Sequence, residues 1–283
     1  MIESGTVVQP VAGKAWRLGI VLALRQSPDW STLARDHGNG DVIDPARYVP
    51  PHSVPAFPDH IQACIAGWNA AFEVDFFACR AELQAIARKT LDAVEGGLVL
   101  PREALAECRP ASPFRLFFLD DDDWFAPDTA ARMADVGDED VAVFPLLRLD
   151  ATVFTFVREL RRTSPVIGFP NRFSHRYQTN NYALHERLCT PECLALLSDH
   201  ITASAEADRR GLRDRYHDVM VSATNKTPVS ASVIARLPSD PAAFRQLVCG
   251  FVSSLRGLSL PDHAAWMHDP IQRTADLFVR ALG

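Results

Sequence analysis

The sequence predicts an α/β fold: a mixed, mostly parallel sheet flanked by helices, with a helical C-terminal part. Three observations carry that reading. Short apolar runs of strand length are interleaved with longer segments whose apolar residues recur at helical spacing. The run Phe114-Arg115-Leu116-Phe117-Phe118-Leu119 is apolar on both faces, as a strand covered on both sides must be. It leads directly into Asp120-Asp121-Asp122-Asp123-Trp124-Phe125. A buried strand that delivers carboxylates to its C-terminal end sits at the edge where open α/β sheets bind ligands.

The elements follow in order. Leu18-Gly19-Ile20-Val21-Leu22-Ala23-Leu24 is the first buried strand, with Arg25 and Gln26 at its end. Residues 36–58 carry Pro45, Pro50, Pro51, Pro55 and Pro58 among glycines and charges, which makes an extended surface loop. Ile61, Cys64, Ile65 and Trp68 predict a helix over 59–72, and Leu83, Ile86, Ala87, Leu91 and Val94 predict a second over 82–94, ended by Gly96 and Gly97. The strand at 114–119, the acidic turn and a helix opening at Pro127 with Asp128 in its first turn come next. Residues 140–150 read as one further strand, with 153–157 continuing it or pairing beside it. Residues 191–203 read as a helix, and the basic run from Arg209 to Arg215 as exposed surface. Ser239 and Asp240 can cap a helix whose apolar face is Phe244, Leu247, Val248, Phe251 and Leu255, and Pro270 opens the last helix. No repeat or composition break divides the chain, so 1–283 is expected to be a single domain, its helical portion spanning about 238–283.

Composition narrows the function. A net charge of −6 gives no general attraction to nucleic acid. There is no uncharged apolar stretch long enough for a transmembrane segment, and Met1 to Ala15 lacks the apolar core of a signal peptide. The expected setting is cytoplasmic, with peripheral membrane association left open. The six cysteines are sparse and form no C-x-x-C, which suits reduced thiols. His185, Cys189 and Cys193 would share a helix face, but buried small residues explain them better than a zinc site.

Adjacent carboxylates repel one another, so the acidic turn needs full hydration or a counter-charge. The plain alternative is a solvated loop, but such runs are rarely flanked on both sides by large apolar residues. The segment Asp120-x-Asp122-Asp123-Trp124, after an apolar strand and before Pro127-Asp128, resembles the metal-binding acidic motif of GT-A-fold glycosyltransferases, and most nearly that of bacterial family-two-like enzymes of the rhamnosyltransferase type. The resemblance implies a GT-A-like, Rossmann-like sheet. It implies transfer of a sugar from a nucleotide-diphosphate donor to a glycan or lipid-linked acceptor, with Mn²⁺ or Mg²⁺ bridging donor and carboxylates. By the same resemblance Asp122 contacts the metal with Asp120. Asp120 and Asp121 also face the donor, and Asp123 supports the site or touches the sugar. Family-two enzymes open with a nucleoside-holding Pro-Thr-Tyr-Asn-like turn, whereas this strand ends in Leu24-Arg25-Gln26-Ser27. Arg25 is then either a phosphate or base contact or a surface residue.

Two further stretches are dense in groups that recognise sugars. Phe173-Ser174-His175-Arg176-Tyr177-Gln178-Thr179-Asn180-Asn181-Tyr182 mixes amides with aromatic rings, so Tyr177, Gln178, Asn180, Asn181 and Tyr182, with Trp124, are the acceptor-binding candidates. Turn-stabilising side chains are the alternative. Tyr216-His217-Asp218 precedes Ser222-Ala223-Thr224-Asn225-Lys226-Thr227-Pro228-Val229-Ser230-Ala231-Ser232. The family supplies a late histidine to the metal, for which His217 is the candidate and His175 the second. Lys226 is suited to a diphosphate. Asp218, Glu186 and Asp123 are the carboxylates considered as general base, with Asp218 preferred and Asp123 next. Two other readings compete: a phosphohydrolase using the acidic turn, against which Trp124 at the end of the motif counts, and a non-catalytic carbohydrate- or cation-binding protein of degenerate transferase fold.

Overall fold

The computed structural model describes residues 17–23, 59–72, 76–95, 97–101, 113–120, 122–151, 166–168, 177, 180–197, 200–230 and 237–283. In chain order the strands are β1 (Arg17–Ala23), β2 (Gly97–Pro101), β3 (Phe114–Asp120), β4 (Trp124–Phe125), β5 (Val141–Val143), β6 (Leu146–Asp150), β7 (Val166–Gly168), β8 (Tyr182–His185), β9 (Asp214–Tyr216) and β10 (Ser222–Lys226). The helices are α1 (Asp59–Phe72), α2 (Phe76–Asp92), α3 (Thr129–Arg132), α4 (Pro191–Leu197), α5 (His200–Arg210), α6 (Pro241–Arg256) and α7 (His268–Leu282). Arg25, Asp121, His175 and Gln178, the loop at 36–58 and the strand candidate at 153–157 lie outside the described residues.

The chain is mixed α/β, but its strands form two sheets rather than one. The larger sheet has the order β2-β1-β3-β8-β5-β9. Within it β8 alone runs against its neighbours, so β1, β2, β3, β5 and β9 end at the same edge. The smaller sheet has the order β4-β10-β6-β7, with β10 parallel to β6 and antiparallel to β4. The single strand expected over 140–150 is in fact two, because Pro145 interrupts it. Proline has no N–H for a ladder. The chain leaves the larger sheet after Val143 and enters the smaller one at Leu146.

β3 is central and buried along Phe114–Leu119, which explains why apolar residues fill both of its faces apart from Arg115. Phe117 and Leu119 pack with Phe125, Met133, Val136, Phe144 and Val221 on one face. Phe114, Leu116 and Phe118 pack with Tyr182, Leu184 and residues of α4 and α5 on the other. A third core joins the smaller sheet to α1, α2, α6 and α7. There Trp68 stacks on Phe244 at 4.5 Å between ring centroids, and its indole N–H donates to the Pro238 carbonyl at 3.1 Å. Of the two cap candidates, Ser239 and Asp240, it is Asp240 that caps α6, its Oδ2 accepting from Ala243 N at 2.8 Å.

Other boundaries moved. The helix expected over 82–94 begins at Phe76, and that expected over 191–203 is two helices, α4 and α5. The helix after Pro127 is the single turn α3, and Asp128 stands at its N-cap position without capping it, its Oδ1 accepting instead from Arg132 Nε at 2.6 Å. α7 begins at His268, before Pro270. Among the described residues no helix is long and apolar enough to cross a membrane.

Candidate functional site

The acidic run is the stretch of chain that crosses from one sheet to the other. Asp120 ends β3 in the larger sheet and Trp124 begins β4 in the smaller. Asp123 N donates to the Asp120 carbonyl at 3.2 Å and closes the turn between them. β4 pairs with β10 through Phe125↔Ser222 and Trp124↔Ala223. Beyond that pair the ladder continues through a side chain: Asp123 Oδ1 accepts from Asn225 N at 2.8 Å. A carboxylate thus takes the place of a strand carbonyl, which ties the acidic turn rigidly to β10.

Asp123 is only 2% exposed, and its Oδ2 is buried with no hydrogen-bond partner. Burial, and then the neighbouring charges of Asp120 and Asp122, push its carboxyl well above the usual range, while the Asn225 N–H and Lys226 pull weakly the other way. Asp122 and Asp120 are half-buried. The Ser230 hydroxyl donates to Asp122 Oδ2 at 2.8 Å, has the Asn225 carbonyl at 3.2 Å, and accepts from Thr227 N at 3.0 Å. Thr224 Oγ1 donates to Asn180 Oδ1 at 3.1 Å. So Asn180, Asp123 and Asp122 all anchor on the short stretch from Thr224 to Ser230. Within this shell Asn180 Nδ2 and both side-chain polar atoms of Asn225 are buried without partners.

That shell is only partly what the sequence pointed to. Asp120, Asp122, Asp123, Asn180 and Lys226 come together. Trp124, Tyr177, Asn181 and Tyr182 are fully buried and hold the fold. Asn181 Nδ2 donates to the Phe144 carbonyl at 3.0 Å, and Tyr182 OH donates to the Leu197 carbonyl at 2.6 Å. Tyr177 stacks on Tyr182 at 4.9 Å, and Trp124 lies in the core beneath the smaller sheet. Thr224, Asn225 and Ser230 were not singled out from the sequence. The one signal was a hydroxyl-rich segment, and only strand pairing shows that it faces the carboxylates.

His217 does not reach the turn. It follows β9, three strands from β3 in the sheet order, or about 14 Å at the usual strand spacing. Its ring stacks on Phe144 at 5.4 Å, which packs with Phe117 and Leu119, whereas Asp120 alternates with them onto the other face. Its Nε2 lies 2.7 Å from Glu139 Oε1. Asp218, the next residue, is exposed. Glu186 sits at the opposite end of β3, where its Oε2 accepts from Phe114 N at 3.1 Å, a full strand length from Asp120.

That opposite end of the sheet is a framework of ion pairs. Buried Arg115 donates to the carbonyls of Glu139 and Gly137 at 2.8 and 2.7 Å, and burial lowers its pKa to about 10. The basic run is engaged at the surface. Arg209 and Arg210 pair with Glu206, and Arg213 with Asp138 and Asp140. His185 ends β8, a 3₁₀ turn at Glu186–Leu188 follows, and Cys193 lies in α4, so His185, Cys189 and Cys193 share no helix face. Both cysteines are buried.

Among the described residues no three His, Cys, Asp or Glu side chains form a ready-made cation cage. The donors that do meet at the turn are carboxylate oxygens, the set preferred by Mg²⁺ and Mn²⁺ over softer metals. Mg²⁺ is commonly held by one or two carboxylates with substrate phosphates and water completing the shell, so Asp120 and Asp122 fit a cation that arrives with its ligand. No protein-family model matches the chain, and no curated protein matches it.

Proposed function

We propose that this chain is a divalent-metal-dependent glycosyltransferase that moves a sugar from a nucleotide-diphosphate donor to a glycan or lipid-linked acceptor. The observation that carries this reading is the acidic turn itself: carboxylates at the C-terminal edge of β3, locked onto β10 through Asp123 and Asn225 N. Rigid placement of charge at such an edge suits a pre-organised site, because no reorganisation is required when charge develops on a ligand.

In this reading Asp122 and Asp120 would hold Mg²⁺ or Mn²⁺, which would supply positive charge to a nucleoside diphosphate. Asp123 is the positioning residue. Its Oδ1 is committed to Asn225 N, and its burial keeps it from touching an acceptor. Lys226, at the end of β10 and close enough to influence Asp123, meets the diphosphate. Asp218 is exposed beyond β9 at the same edge, three strands from β3, and would take the proton of an acceptor that spans that distance from the turn in an inverting reaction. His217 keeps a framework role with Glu139.

The test is a thermal-shift screen of UDP, GDP and dTDP and their hexose derivatives, each with and without Mn²⁺ or Mg²⁺. A ligand that binds only the native state raises its apparent stability. A shift that requires nucleotide and metal together is expected, and Asp122→Asn is expected to abolish it. A shift with metal alone, unaffected by any nucleotide, would refute the transferase reading.

A further inference from the structure

The smaller sheet carries a second cation on the face turned towards the acidic turn. β6 and β10 run parallel, with Arg148 beside Thr224 and Asp150 beside Lys226. Alternate residues of a strand point to opposite sides, and residues paired across a ladder share a side. Leu147, Leu149 and Ala223 belong to the core that the smaller sheet shares with α1, α2, α6 and α7. Arg148, Thr224 and Lys226 therefore stand on the other side. Thr224 shows what that side meets, because its Oγ1 donates to Asn180 Oδ1 at 3.1 Å. Asn180 lies in the turn that leads into β8, and β8 runs against β3, so its start lies towards the end of β3 where Asp120 stands. The face with Arg148 and Lys226 thus looks towards the carboxylate edge of the larger sheet. Leu147 and Leu149 are fully buried, whereas Arg148 and Lys226 are only half-buried, so a ligand entering from solvent can meet both cations.

The strand order arranges these charges in sequence. The carboxylates stand just before β4, Lys226 ends β10 beside it, and Arg148 lies in β6, one strand farther on. Each step is about 4.8 Å. Lys226 is close enough to the turn to act on the Asp123 carboxyl. A single phosphate that arrives with a cation at the turn is met by the nearer lysine alone. Two linked phosphates carry more charge and reach farther along the same line, to the arginine. A guanidinium suits that task, because its planar fork grips phosphate oxygens through two parallel hydrogen bonds. We infer that Arg148 binds the donor's diphosphate alongside Lys226, and that it makes the site select a nucleoside diphosphate over a monophosphate. This rests on the nucleotide-sugar reading of the site. It adds a residue that was not singled out from the sequence, where Arg148 is one charge in an apolar run and only the β6–β10 register gives it a side.

The experiment is isothermal titration in saturating Mn²⁺ of UDP, GDP and dTDP against UMP, GMP and dTMP. The proteins are wild type, Arg148→Gln and Arg148→Lys. The readout is the ratio of monophosphate Kd to diphosphate Kd for the base that wild type prefers. Wild type is expected to favour the diphosphate. Loss of a charge-assisted hydrogen bond corresponds to a weakening of about tenfold or more, so Arg148→Gln is expected to lower the ratio by about that factor. Arg148→Lys keeps the charge without the fork and is expected to lower it by less. An arginine that only braces β6 would lower the melting temperature on replacement and leave the ratio alone. A ratio unchanged in Arg148→Gln, whether both affinities fall together or neither falls, overturns the inference. So does a wild type that binds monophosphate and diphosphate alike; the site reading survives both results. If Arg148→Gln does not fold, Arg148→Lys decides, and a wild-type ratio there overturns the inference. Failure of wild type to bind any of these nucleotides with metal overturns the site reading, and the inference with it.

Discussion

Replacing Asp123 with asparagine should make the protein more stable as pH rises, which is the reverse of what removing a paired carboxylate does. An unfolded aspartate titrates near pH ~3.9. In the native protein burial, and then Asp120 and Asp122, hold the Asp123 carboxyl well above that. Below the unfolded value both states carry the proton, and the neutral carboxyl contributes its full stability. Between the unfolded and native values only the native state keeps the proton. Stability is therefore lost as pH rises through that window, by about 1.4 kcal/mol per pH unit for one proton. Above the native value the loss is complete and the curve is flat. Asparagine preserves the oxygen that accepts from Asn225 N at 2.8 Å and cannot ionise. It also leaves a buried polar group where Oδ2 has none to meet, so near pH ~4 the two proteins should agree within about 1 kcal/mol. From there Asp123→Asn minus wild type should climb at about 1.4 kcal/mol per pH unit before levelling. Urea unfolding followed by tryptophan fluorescence in chelated buffer, at steps from about pH 4 to pH 8, measures this directly, since titrations common to both proteins cancel in the difference. A difference that does not rise with pH above about pH 4, or that falls, would refute the claim that burial and the neighbouring carboxylates raise the Asp123 pKa in the native state.

Other outcomes follow from particular contacts. Asp240→Ala removes the α6 cap and should cost about 1 kcal/mol in urea unfolding, whereas Asp240→Ser should recover most of it. Asn181→Ala should lower the melting temperature, through loss of about 1–3 kcal/mol at a buried carbonyl, without changing relative affinity among nucleotide sugars; a selective change in ligand affinity at unaltered stability would contradict its framework role. His217→Gln should leave Mn²⁺ affinity unchanged, because Glu139 and Phe144 hold the ring away from the acidic turn; loss of metal binding in a folded variant would show the histidine to be a ligand after all. Phe117→Ala, at the centre of β3, should cost about 3–5 kcal/mol by equilibrium unfolding, and a loss below about 1 kcal/mol would mean the core collapses around it.

Local chemistry made much of this chain legible before any fold was known. β1, β3 and the start of α1 follow from apolar runs and helical spacing, and the Asp240 cap from one side chain at a helix start. The acidic turn's place at the end of a buried strand follows from two adjoining residue types. These features are short-range: the physics that decides them acts within a strand or a single turn. Pro145 was visible too, yet 140–150 reads as one strand, and the rule that proline cannot join a ladder explains the break only once the two strands are seen. That rule did not say that β6 would go to a different sheet.

What only tertiary structure decided is which distant residues meet. His217 and Asn180 are both candidate site residues in the sequence. The strand order sets His217 about three strand spacings from the turn and on the other face, whereas the hydrogen bond from Thr224 holds Asn180 against β10. Asn180 and Asn181 are neighbours of the same type, yet in the turn that leads into β8 one amide donates to the Phe144 carbonyl and the other accepts from Thr224. Thr224, Asn225 and Ser230 gained their places through pairing across more than a hundred residues of sequence from Asp122 and Asp123. The sequence by itself determined that carboxylates would stand at a sheet edge. The pairing of β4 with β10 determined what faces them, since register across a sheet is set by the burial of whole faces and not by any one residue.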